Sequence, residues 1–210
     1  GIVLLLILQT WLLTDWFGGP LIDINQYAEV TSRVILLTLI GLTVVGIGSI
    51  WLSIVVIGKR SWSQLGFQPI SSHWLGVSIL LALILVFVRV VIGTFLAVRY
   101  PSLAEGIEEM LFTSDTNLLT NLGLLFLIAF VIRIWEELFF RGFLYKWFRN
   151  FLRMWLAIGL SAVVFGVFHL IPLQMFLAGI MGVALAWIYE RSNTLWAPIL
   201  MHMINNLIVG

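Results

Sequence analysis

The chain has 210 residues, of which 61% are hydrophobic and only 10% charged, and its mean hydropathy is +1.11. Soluble domains carry about 45–50% apolar and about 25% charged residues, so an ordinary water-soluble globule is excluded: there are too few charges to cover a wet surface. A net charge of +1 argues against a nucleic-acid-binding face, and the absence of Cys excludes disulfides, thiolate chemistry and Cys-ligated metals. Gly1 already lies in an apolar run, so a processed or truncated start is expected, with no evident cleavable signal peptide.

A membrane-crossing helix needs about 20 mostly apolar residues. Such runs lie at 1–14, which is short, and at 34–57, 74–98, 118–145, 154–171, 173–190 and 194–209. No alternating strand pattern appears, and only helices satisfy their own backbone in lipid. The expected fold is all-α: a polytopic membrane protein of about seven transmembrane helices, one domain over 1–210, with its active site inside the helical bundle.

The loops sort by charge. Asp15, Asp23 and Glu29 stand against Arg33 in one loop, and Glu105, Glu108, Glu109 and Asp115 against Arg99 in another. The alternate loops carry Lys59 and Arg60, then Lys146, Arg149 and Arg153, then Arg191. The positive-inside rule puts 58–73, 146–153 and 191–193 in the cytoplasm, with the N-terminus inside. The 171–173 turn then lies outside, and its shortness makes 154–171 and 173–190 an antiparallel pair. Segment 58–73 is too short to span and suits the cytoplasmic interface, with Trp62, Leu65 and Phe67 beside Lys59 and Arg60. Trp11, Trp16, Trp62, Trp147 and Trp196 read as interfacial anchors. Gly41, Gly46 and Gly48, and Ala178, Gly182 and Ala186, read as sites of close helix packing.

Ionisable groups inside a membrane are costly and are candidate functional residues. Here they are Arg89, Arg133, Glu136, Glu137, Arg141, His169 and His202, joined by the amides Asn205 and Asn206. Adjacent helical residues point about 100° apart, so Glu136 and Glu137 face different surroundings. Glu137 and Arg141 stand at i,i+4 in the favourable order for an ion pair, and Arg133 lies one turn before Glu137. Glu137 is therefore expected to be paired and structural. Glu136 is left to another neighbour, and an unpaired carboxylate in a low-dielectric site suits a general base. His202 and Asn206, also at i,i+4, could both donate hydrogen bonds to an oxyanion. At 1.5 Å per residue, Glu136 lies about 15 Å from the basic loop at 146 and His202 about 12–15 Å from Arg191, while His169 comes out higher, at about 18–24 Å.

Glu136-Glu137-Leu-Phe-Phe-Arg141, Phe165-Gly-Val-Phe-His169 and His202-Met-Ile-Asn-Asn206 follow one another on successive helices. Together they resemble the CPBP intramembrane protease family, which includes type II CAAX prenyl proteases and bacteriocin-processing enzymes and is also called Abi. The resemblance covers about 118–210, the motif-bearing core, and the Leu-Gly-Phe-Gln-Pro stretch at 65–69 looks like the family's interfacial segment. It implies hydrolysis of a peptide bond within or at the edge of the membrane. Glu136 with His169 would activate a water, His202 and Asn206 would stabilise the oxyanion, and Glu137 with Arg141 would hold the site in shape.

The implied substrate is a membrane-associated protein or peptide, prenylated CAAX proteins and leader peptides among the candidates. The site would be reached from the cytoplasmic face of the plasma membrane. Metal-free catalysis is favoured; in the zinc-dependent alternative, Glu136, His169 and His202 would be the ligands. Arg89, mid-span, pairs with a glutamate of the 118–145 helix or meets a substrate's C-terminal carboxylate. Two other classes remain: a non-catalytic immunity or scaffold protein that keeps the fold, and a proton-coupled transporter, for which no inverted repeat is found.

Overall fold

The computed structural model describes residues 61–100, 126–169 and 172–209, together with isolated helical positions at 41, 44, 48 and 123. The spans expected at 1–14 and 34–57 lie outside the described residues, apart from those isolated positions, as does the start of the one at 118–145. Every described element is helical. Helix α1 is Trp62–Leu65 and α2 is Ser72–Arg99. Helix α3 runs over 127–149, α4 is Met154–Val167, α5 is Pro172–Ser192 and α6 is Trp196–Val209.

Local chemistry sets the ends. Ser71 caps α2, its hydroxyl accepting from the Trp74 N–H. The helix ends one residue before Tyr100-Pro101, where proline disfavours helical geometry. Pro172 opens α5, where its missing N–H costs nothing. Asn193, at φ +54°, takes the left-handed geometry that Asn tolerates and ends α5, its N–H bonded to Tyr189 O at 2.9 Å.

Helices α2, of 28 residues, and α5, of 21, are long and apolar enough to cross a membrane. Helices α4 and α6 have 14 residues each, about 21 Å at 1.5 Å per residue, shorter than the spans expected at 154–171 and 194–209. Helix α4 stops because the chain tightens into a turn after Val167, with the His169 N–H on Gly166 O at 2.9 Å. His169 therefore sits just past a helix end and not within a helix.

Helices α4 and α5 are antiparallel at very close range. A Cβ on Gly166 would meet Met175 O at 2.6 Å, and one on Gly182 would meet Ala162 Cα at 3.0 Å. Positions rising along one helix thus face positions falling along the other. Small residues let the backbones approach this far. The interfacial stretch is pinned to the α5–α6 turn: the Leu195 N–H donates to Gly66 O at 2.7 Å and Thr194 Oγ1 to Gln68 O at 2.6 Å. Gly66 has φ +111°, and a Cβ there would lie 2.8 Å from Tyr189 Oη; only glycine suits both demands.

The distribution of polarity is inverted relative to a soluble protein. Leu80, Phe87, Phe95 and Val98 of α2 are exposed, while Arg133, Glu137, Arg141 and His202 are buried. Such an outside matches a lipid solvent, and it leaves the charges facing one another.

Candidate active site

Helix α3 carries the acidic pair. Its middle, Ile132–Glu137, is α-helical, but π-helical turns flank it at Leu127–Val131 and Leu138–Tyr145. An uninterrupted α-helix is what the apolar run predicts. The wider turns fit an extra residue into the ladder and re-aim the face that follows, as π-turns do at many functional sites.

Glu137 and Arg141 are both fully buried, and Arg141 NH1 donates to Glu137 Oε1 at 3.0 Å. Arg141 NH2 reaches Gly182 O at 3.3 Å, and its guanidinium lies 4.5 Å from the centroid of Phe165. A glycine at 182 keeps that carbonyl accessible and lets α5 approach. Glu137 Oε1 also meets His202 Nδ1 at 2.6 Å. One carboxylate oxygen thus joins α3, through Arg141, to α6.

Glu136 is placed differently. Its Oε2 accepts from Arg133 NH1 at 2.6 Å, and its side chain keeps 14% of its surface open. The expectation that Glu136 lacks a charge partner is therefore corrected. Arg133 turns to Glu136 at i+3, while Arg141 and His202 share Glu137 Oε1. His202 Nε2 lies 3.7 Å from Glu136 Oε2 and 3.3 Å from Arg133 NH1.

These contacts define the histidine tautomers. A guanidinium only donates, so His202 Nε2 is an acceptor and Nδ1 carries the hydrogen that goes to Glu137. The sequence reading made His202 an oxyanion donor; here its Nε2 instead faces a donor. His169 Nδ1 lies 2.9 Å from Phe165 O. A carbonyl only accepts, so Nδ1 donates and the lone pair sits on Nε2. The Phe165 ring stands between the histidines, 4.9 Å from His169 and 5.6 Å from His202. His169 also lies within the electrostatic reach of Glu136, Arg133 and Arg89.

Asn206 Nδ2 donates to His202 O, one turn back, at 3.1 Å, and its second hydrogen is not used by that bond. Asn205 is the buried amide, its Oδ1 accepting from Arg89 NH1 at 3.3 Å. Arg89 NH2 reaches Gln174 Oε1 at 3.3 Å. The expected ion pair of Arg89 with a glutamate of α3 is thus replaced, among the described residues, by two neutral acceptors. Gln174 was not singled out in the sequence. Its signal was a lone amide in the first turn of an apolar helix.

The donor set suits a zinc ion poorly. The Arg133 guanidinium stands against both Glu136 and His202, two of the three ligands such an ion would need. Among the described residues, no group of three or more His, Cys, Asp or Glu is placed to hold a metal.

Comparison with known families gives one match. Residues 118–208 match the family model described as Type II CAAX prenyl endopeptidase Rce1-like. The match covers the three motif-bearing segments and bears out the resemblance they carry. Neither curated proteins nor solved structures gave a match.

Proposed function

From the match of residues 118–208 to the Rce1-like type II CAAX prenyl endopeptidase model, we propose that this protein is a multi-pass intramembrane endopeptidase. It hydrolyses a peptide bond of a membrane-associated substrate, a C-terminal CAAX-type sequence being the favoured class. The observation that carries this reading is the unequal burial of two adjacent carboxylates. Glu137 is sealed at 0% exposure while Glu136 is open at 14%, beside His202 and Arg133. A water can reach Glu136 but not Glu137.

In this mechanism, Glu136 takes a proton from a water oriented by the Nε2 lone pair of His169. The water oxygen attacks the scissile carbonyl, and Glu136 returns the proton to the leaving nitrogen. The oxyanion forms beside the Arg133 guanidinium, and Asn206 offers its remaining N–H. Preorganised donors of this kind commonly contribute a factor of about 10²–10³. His202 acts by holding Arg133 with Nε2 while Glu137 fixes its ring, the logic of a carboxylate-oriented histidine. Glu137 and Arg141 keep the shape of the site. No step requires a metal. Arg89, held by neutral amides, takes the substrate's C-terminal carboxylate. The basic loops support an entrance on the cytoplasmic side, and the plasma membrane is the proposed location.

The test is incubation of the purified full chain in detergent with a farnesylated C-terminal peptide, with products identified by mass spectrometry. One internal cleavage, unchanged by 1,10-phenanthroline, is expected. Absence of cleavage of prenylated and unprenylated membrane-anchored peptides alike would overturn the proposal. Chelator-sensitive cleavage restored by zinc would overturn the metal-free mechanism.

A further inference from the structure

Arg89 of α2 is a half-buried cation held by two other helices. Its NH1 donates to Asn205 Oδ1 of α6 and its NH2 to Gln174 Oε1 of α5, both at 3.3 Å. A guanidinium has no acceptor, so both amides turn their oxygens toward it. Packing brings α2 and α5 together here: a Cβ on Gly93, one turn beyond Arg89, would lie 3.4 Å from Leu177 Cδ1, one turn beyond Gln174.

The two amides fix the guanidinium without neutralising it. Arg133, Arg141 and Arg149 each meet a carboxylate, of Glu136, Glu137 and Glu190 respectively. Among the described residues no carboxylate pairs with Arg89, and the charge that acts on it is Arg133, a second cation. A cation in the membrane interior is costly unless an opposite charge meets it. A glutamate at 174 has the same length as glutamine and an oxygen at the same place, and it would neutralise Arg89. The chain carries the neutral amide, which holds the fork and leaves its charge to a ligand.

The position of Gln174 indicates which ligand. It stands in the first turn of α5, at the end opposite Arg191, about 26 Å from that basic end at 1.5 Å per residue. Glu136 lies about 15 Å from the basic loop at 146 by the same measure. His169 is within electrostatic reach of both Arg89 and Glu136, so the two sites are contiguous. An extended peptide entering from the basic loops passes Glu136 first, and its C-terminus is the end that meets Arg89.

We propose that Gln174 is a positioning residue that determines specificity: it orients Arg89 without neutralising it, and so reserves that charge for the terminal carboxylate of the substrate. This rests on Arg89 as the partner of that carboxylate in the proposed mechanism.

The experiment separates binding from cleavage. A short membrane-anchored peptide is prepared as the free acid and as an isotopically heavier amide. The two compete for the full chain carrying Glu136→Gln in detergent, and native mass spectrometry reads the bound ratio. The free acid should be retained about tenfold over the amide, the size expected of one charge-assisted hydrogen bond. Adding Gln174→Glu should bring the ratio near one, because the new carboxylate occupies Arg89 and repels the incoming one. That variant should melt no lower, since it gains an ion pair. Adding Gln174→Met keeps the length and removes the acceptor; it should lower the ratio a few-fold and leave amide binding unchanged, and it serves if Gln174→Glu does not fold. A ratio still near tenfold in the folded variant, or an equal loss of both peptides, would overturn the role of Gln174 and leave that of Arg89 standing. No preference in the Glu136→Gln chain itself would overturn both. A tenfold preference for the free acid, abolished by Gln174→Glu, in a protein whose wild type cleaves no peptide would remove the endopeptidase reading and support this one.

Discussion

His202 Nδ1 and Glu137 Oε1 stand 2.6 Å apart, each side chain fully buried, and tie α6 to α3 from positions 65 residues apart in sequence. The same oxygen takes Arg141 NH1 at 3.0 Å. A carboxylate so enclosed supports structure and cannot receive a substrate. Glu137→Gln should leave the buried Arg141 charge without its partner. Removing one member of a buried pair costs about 3–5 kcal/mol, so its thermal midpoint in detergent should fall far more than that of Glu136→Gln. Equal midpoints for the two variants would contradict the division of roles.

Arg133 links Glu136 to His202, at 2.6 Å and 3.3 Å. Both contacts come from NH1; lysine keeps the charge, but its shorter reach and compact ammonium do not put a donor at the place of that guanidinium nitrogen. Arg133→Lys should lower kcat by about 10²-fold, the typical effect of losing one oxyanion donor, while KM changes little. A single-turnover cleavage assay separates the two. A fall confined to KM would move Arg133 from the oxyanion to substrate binding.

Arg89 makes two hydrogen bonds to neutral amides, Asn205 and Gln174. If it reads a terminal carboxylate, Arg89→Gln should raise KM about tenfold or more, the worth of a charge-assisted hydrogen bond, and should leave kcat unchanged. The loss should vanish when the substrate's C-terminus is amidated. An equal loss on free-acid and amidated peptides would assign Arg89 to packing.

Much of this arrangement was legible in the sequence. The helical class, the three motifs and the antiparallel pairing around 171–173 follow from apolar run length and from i,i+4 spacing. The partner of Arg133 was not legible. It could reach either glutamate, one turn along at i+3 or i+4, and spacing alone does not choose between them. Nor could the choice between Asn205 and Asn206 be read, because which of two adjacent amides points inward depends on where Arg89 of α2 lies. Hydropathy alone also overran the helix ends: 154–171 is apolar but for Ser161 and His169, yet α4 stops at Val167. That early stop leaves His169 in the turn beyond the helix end. The π-turns around the acidic pair have no signature in composition or period.

The close approach of α4 and α5 carries its own prediction. An added methyl at Gly166 would lie 2.6 Å from the Met175 carbonyl oxygen, a backbone atom that cannot swing aside. Gly166→Ala should cost about 1–3 kcal/mol by overpacking. It should also reduce activity by displacing Phe165 and His169, seen as a lower thermal midpoint and a lower kcat together. Gly159, with open space around its Cβ position, should accept alanine without loss.

The most direct test of the central claim is the cleavage rate of Glu136→Gln on a membrane-anchored C-terminal peptide, measured alongside its thermal midpoint. The Gln side chain still accepts from Arg133 but cannot take a proton from water. The account predicts a rate lower by about 10²–10⁴-fold, the range for a lost general base, in a protein that melts close to wild type. A folded Glu136→Gln that cleaves at the wild-type rate would contradict it.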